Sequence, residues 1–69
     1  MSNPMSDINN ALIENTNSEW HHYNIYWRND EAHMTDGKHS VFIGYLHEGM
    51  KTLVDRLEMC ENALDNWQF

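Results

Sequence analysis

The strongest constraint in this chain is a run of apolar residues at helical spacing. Ile43, Leu46, Met50, Leu53, Leu57, Cys60, Leu64 and Trp67 follow one another at intervals of 3, 4, 3, 4, 3, 4 and 3. A repeat averaging about 3.5 residues lines all of them along one seam of a helix. Val54 and Ala63 widen the stripe, while Lys51, Asp55, Glu58, Asp65 and Gln68 face away from it. Carried backward, the register takes in His39, with Ser40 as a suitable N-cap just after Gly37. The spacing predicts one long helix over residues 40–67. Gly44 and Gly49 run against this, since each costs about 1 kcal/mol inside a helix unless it marks the close approach of a partner backbone.

Length gives the seam an architectural consequence. A helix of roughly 28 residues is about 42 Å long, whereas a compact chain of 69 residues is only about 28 Å across. Chains below about 70–80 residues also tend to need a disulfide, a metal or a partner to be stable. The expected fold is therefore all-α: a short N-terminal helix, then a helical hairpin whose second arm is the heptad helix, paired antiparallel in a homodimer. The eight seam residues, Ile43 to Trp67, are its expected oligomer interface.

The rest reads as the remainder of one small domain, residues 1–69. Residues 1–5 are expected to fray. Ser6 can cap a helix over residues 6–16, with Met5, Ile8, Ala11 and Leu12 on one side. Asn15, Thr16, Asn17 and Ser18 then compete for backbone hydrogen bonds and end it.

Residues 18–34 support two readings. As a helix, Ser18 caps, Trp20, Tyr23 and Trp27 share a face, and Glu31 to Met34 are acceptable helix formers. As a strand, Tyr23, Ile25 and Trp27 alternate. The strand reading gives an α+β alternative, a β-hairpin of residues 20–28 and 40–45 packed on a C-terminal helix, with Val41, Ile43 and Tyr45 opposite Trp27, Ile25 and Tyr23. Its loop of roughly ten to twelve residues is long for a hairpin. The all-α fold is preferred.

Composition excludes several classes. Four Lys+Arg stand against eleven Asp+Glu, a formal net charge of −7. Nucleic-acid binding needs clustered cations, and Arg28, Lys38, Lys51 and Arg56 are dispersed. An anionic membrane surface is disfavoured for the same reason. No apolar run approaches the ~18–20 residues of a membrane span. The N-terminus has neither the basic nor the apolar region of a signal peptide. The single Cys60 forms no internal disulfide, so a cytoplasmic location is expected. Five histidines make the charge pH-sensitive, moving it from −7 toward −2 if all are protonated.

Metal and nucleophile chemistry find little support. His21, His22, His33, His39, His47 and Cys60 show neither HxxxH nor CxxC spacing. Glu19-x-x-His22 matches a di-iron unit, which would need inward carboxylates from partner helices, and only Glu61 borders the seam. A metal function would rest on Glu19, His22 and His47. No metal or other cofactor is expected. Cys60 lies on the apolar seam, where a thiol packs as a small hydrophobe. There is no Gly-rich phosphate loop or nucleophile turn, so no enzyme is expected.

Tyr26-Trp27, Gly37, Phe42, Leu46-His47 and Asp55-Arg56-Leu57-Glu58 together resemble the first helical pair of ferritin-like proteins of the starved-cell DNA-protecting type. The likeness covers about half the chain, carries no complete motif and lacks a second helix pair, so no iron chemistry is transferred. It implies helices, with a ferritin-like metal-binding helical pair as a minor alternative.

Two functions follow as expectations. The first is a small acidic inhibitor that docks on a basic, nucleic-acid-binding surface of a larger protein, the size and charge profile of phage anti-defence proteins, anti-CRISPR proteins included. Its candidate contacts are Glu48, Asp55, Glu58 and Asp65, with Asp30, Glu31 and Asp36 in the turns and Trp27 and Tyr45 as aromatic anchors. The second is an oligomerisation or adaptor subunit acting through the heptad helix.

Overall fold

The computed structural model describes residues 4–16 and 23–67. Helix α1 spans Pro4–Asn15; strands β1, β2 and β3 span Asn24–Arg28, Glu31–Thr35 and Ser40–Tyr45; a 3-10 turn covers Leu46–Glu48; helices α2 and α3 span Met50–Asp55 and Leu57–Trp67. The fold is α+β, which overturns the all-α expectation and, with it, the helical pair of the ferritin resemblance. Tyr26, Trp27 and Phe42 of that resemblance lie in strands.

The sheet is antiparallel in the order β1-β2-β3. Ile25 lies opposite Met34, and Met34 opposite Val41, so β2 stands between the two strands that the alternative hairpin would have paired directly. Two short turns make this possible. Asn29 takes φ 58° in the β1–β2 turn, a left-handed conformation that Asn tolerates better than other non-glycine residues. Gly37, at φ 97°, turns the chain between β2 and β3. There Asp36 Oδ1 accepts from the backbone N–H of Lys38 at 2.9 Å and of His39 at 2.8 Å.

The helices cover one face of the sheet. Ala32 and Met34 point into them and are fully buried, joined by Ile43 of β3, Ile8 and Leu12 of α1, and Leu53, Leu57, Cys60 and Leu64 of α2 and α3. Ile25, Trp27 and Val41 flank this core. Trp27 donates its indole N–H to Asn9 Oδ1 at 3.0 Å, tying β1 to α1. Helix α1 starts at Pro4, two residues before Ser6, with proline favoured where the first-turn N–H groups have no partner.

The long predicted helix is interrupted in three places. Residues 40–45 are strand, Gly49 sits at φ 95° between the 3-10 turn and α2, and Arg56 is a turn residue between α2 and α3. Eighteen residues, 50–67, carry the helical part of the seam, about 27 Å. The overhang that called for a second copy is gone. Among the described residues no helix is long and apolar enough to cross a membrane.

Candidate functional site

The bend that ends the sheet is locked by one ion-pair cluster. The β2–β3 pairing slips by one residue at Ala32/His33, so that β3 carries an extra residue and both Ile43 and Gly44 turn inward. Arg56 fills the space this creates. Its Nη1 donates to the Ile43 carbonyl at 3.1 Å and to Glu48 Oε2 at 2.9 Å, while Nη2 donates to Glu48 Oε1 at 2.7 Å. Glu48 Oε2 also accepts from the Tyr45 backbone N–H at 2.8 Å. The Arg56 hydrogen bond and this backbone donor hold the Glu48 carboxyl below its ordinary pKa. Gly44 is required here: a Cβ would lie 2.6 Å from Arg56 Nη1 and from Leu53 Cδ2. The sequence suggested that Gly44 marks the close approach of a partner backbone; the approaching groups are this chain's own side chains, Leu53 of α2, Arg56 of the α2–α3 turn and Glu48 of the 3-10 turn.

Several sequence-predicted contact residues are occupied in holding the fold. Glu48 belongs to the cluster just described. Asp65 accepts a hydrogen bond from the Tyr23 hydroxyl, which burial and that carboxylate keep protonated well above the usual tyrosine range. Asp36 closes the β2–β3 turn. Trp27 is half-buried on Asn9.

The seam residues are likewise committed inward. Ile43, Leu53, Leu57, Cys60 and Leu64 are core, and Leu46 packs against it. Met50 and Trp67 are exposed, with the Trp67 ring stacked on His39 at 4.4 Å between centroids. The Cys60 thiol points at the Phe42 carbonyl, Sγ to O 3.8 Å, and burial pushes its pKa up.

Two groups of surface residues bear on function. The first is carboxylate. Asp7, Glu14, Asp30, Asp55 and Glu58 are exposed, and among the described residues none of their carboxylates makes a hydrogen bond or ion pair. Glu31 is half-buried, with Oε1 3.2 Å from His33 Nε2.

The second group is aromatic. The face of the sheet turned away from the helices carries a continuous row of rings. Tyr26 stacks on His33 at 5.1 Å, His33 meets the edge of Phe42 at 5.5 Å, Phe42 meets Tyr45 at 5.0 Å, and Tyr45 stacks on His47 at 5.3 Å. Tyr26, Phe42 and Tyr45 are 38%, 45% and 41% exposed. The sequence singled out Tyr45 but not the row, because His33 lies on the strand that was not foreseen.

Among the described residues no three His, Cys, Asp or Glu side chains converge as metal ligands. Glu19 and His22 lie outside the described residues, and His47 is stacked on Tyr45. A surface cleft of about 300 Å³ is lined by Asp36, Lys38, His39 and Trp67, and one of about 170 Å³ by Ile13, Thr16, Tyr23, Asn24 and Ile25. No protein family matches the chain, and neither a curated protein nor a solved structure matches it.

Proposed function

We propose that this chain is a non-enzymatic, acidic protein-binding inhibitor, of the phage anti-defence or anti-CRISPR type, that docks on a basic surface which otherwise holds nucleic acid. The observation that carries this reading is the set of exposed carboxylates without counter-charges, Asp7, Glu14, Asp30, Asp55 and Glu58. Isolated surface carboxylates contribute little to the stability of a small domain, and they repel one another. Spread over a chain of net charge −7, they steer it toward a cationic partner and away from nucleic acid and anionic membranes. The encounter belongs in the cytoplasm, where a lone reduced thiol such as Cys60 persists.

The adaptor reading depended on a free heptad seam, and five of its eight positions are used in the chain's own core. The inhibitor reading needs no such seam. Its test is a pull-down from the source cell at about 50 and about 300 mM salt, spanning Debye lengths of roughly 14 to 6 Å. Nucleic-acid-binding proteins retained at the lower salt and displaced at the higher, or by added nucleic acid, are the expected result. Retention unaffected by salt, by competitor and by a D55K/E58K double variant rejects it.

A further inference from the structure

We infer that the open face of the sheet is the docking surface for an arginine-bearing segment of the partner protein, its guanidinium groups lying against the row of Tyr26, His33, Phe42 and Tyr45. This rests on the reading of the chain as a binder of basic protein surfaces, and it names where on the chain that surface is met and by which side chain.

Burial marks the row as more than leftover core. Helices cover the other face, where Ala32 and Met34 are fully enclosed, yet three large rings stand 38–45% exposed on this one. Sheet faces of this kind, with aromatic rings on neighbouring strands, take up planar groups. Two planar chemistries compete for them: nucleic-acid bases and guanidinium ions.

Charge decides between the two. Stacked bases bring phosphates, which need several Lys or Arg beside the rings. Among the described residues the strands carry one such cation, Arg28, and it lies directly across from Glu31. Asp30 is exposed in the adjoining turn, and the whole chain carries −7. A polyanion approaching this face meets a repulsive field.

A guanidinium ion meets the opposite situation. The negative π-face of a Tyr or Phe ring attracts it, and a carboxylate nearby adds a charge-assisted hydrogen bond. Phe42 supplies the geometry, since it is tilted 61° to His33 and 68° to Tyr45. The row is therefore corrugated, with ring surface accessible between neighbours. Lysine gains less at such a site, because its compact ammonium is more strongly hydrated and cannot lie flat on a ring.

The test uses the whole chain in calorimetric titrations at pH 7.5 with three probes: nona-arginine, nona-lysine and a fifteen-nucleotide oligo-dT. The expected result is binding of nona-arginine about two- to five-fold tighter than nona-lysine, the scale of an exposed cation–π contact, and no measurable binding of oligo-dT. F42T and Y45T, which put a β-branched residue of good strand propensity in place of each ring, should remove the arginine preference while leaving nona-lysine affinity unchanged. D55K/E58K, on the helices and not in the strands, should weaken both peptides and preserve the preference. Thermal melts establish that each variant is folded, and Y26T serves if either of the others is not.

Equal affinities for the two peptides overturn the sheet-face proposal while leaving the acidic-inhibitor reading intact. Absence of binding to both peptides overturns the two together. Oligo-dT binding, or a concentration-dependent dimer that buries Phe42, assigns the face to a different occupant and also overturns the proposal.

Discussion

Arg56, at the turn between two helices, grips Glu48 with both arms of its guanidinium, at 2.9 and 2.7 Å, and with the first of these also holds the Ile43 carbonyl at the bulge of the last strand. This pair converts a strand into a helix within a few residues. Bidentate geometry adds specificity to such an ion pair, and here a backbone acceptor shares the donor. The Glu48 side chain also accepts from the backbone N–H of Tyr45, the last residue of β3.

Acid should loosen this junction first. The folded-state pKa of Glu48 is lowered, chiefly by the Arg56 hydrogen bond. A carboxylate of that kind contributes stability above its unfolded pKa of about 4.3 and loses it as pH falls further, through the folded value. The urea midpoint of the native chain should therefore fall between pH 5 and pH 3 more steeply than that of E48Q. At pH 7, E48Q and R56A should both melt at lower temperature than the native chain. R56K, which cannot grip Glu48 with two arms, should lie between R56A and the native protein.

Gly44 offers a steric test of the same junction. With Cβ contacts of 2.6 Å to Arg56 Nη1 and to Leu53 Cδ2 and 2.7 Å to Glu48 Oε2, G44A must displace charged and core groups together. A loss of about 1–3 kcal/mol is expected from overpacking, read from denaturant unfolding. A neutral G44A would show that the ends of the Arg56, Leu53 and Glu48 side chains move aside at little cost.

The alkaline limb tests the other end of the domain. Tyr23 has a raised pKa, by burial first and then by its hydrogen bond to Asp65. A phenol raised in this way contributes stability that is whole below the unfolded pKa of about 10 and is lost as pH climbs through the folded value. In a spectrophotometric titration at 295 nm, ionisation of one tyrosine should lag and accompany unfolding. Y23F should abolish the lagging phase.

Helix α1 is fastened mainly by Leu12, which is fully buried, and Ile8, with Asn9 bonded to Trp27. L12A should cost about 2–5 kcal/mol. A single core of this size supplies only about 3–5 kcal/mol in all, so the variant should be largely unfolded at room temperature by circular dichroism. A well-folded L12A would mean that α1 is dispensable to the core.

Part of this architecture was visible in the residues. The alternation of Tyr23, Ile25 and Trp27, read as a strand only in the alternative that was not preferred, marks the inward side of β1 and of the residue before it, and the apolar set from Met50 onward is helical as spaced. The seam misled at its start. Ile43 and Leu46 fit the register by position, yet they reach the core from a strand and a 3-10 turn. Two matches to a 3.5-residue repeat do not separate a helix from a strand and turn that feed the same core, and the two glycines were the better signal. Strand β2 was missed because Glu31, Ala32, His33 and Met34 have ordinary helix propensity. Their alternation of half-buried and buried positions is enforced by neighbours on both sides, which local preference does not contain. The aromatic row was hidden with it, since His33 is its link between β1 and β3.

Electrostatic docking on a cationic protein surface is the function proposed for this chain, and it stands or falls on salt. The decisive quantity is the dissociation constant of the purified complex with the protein captured from the source cell, measured at about 50 and about 300 mM salt. Binding should weaken by at least about ten-fold over that range, with nucleic acid competing for the same surface. An affinity unchanged by salt and indifferent to nucleic acid would contradict electrostatic docking outright.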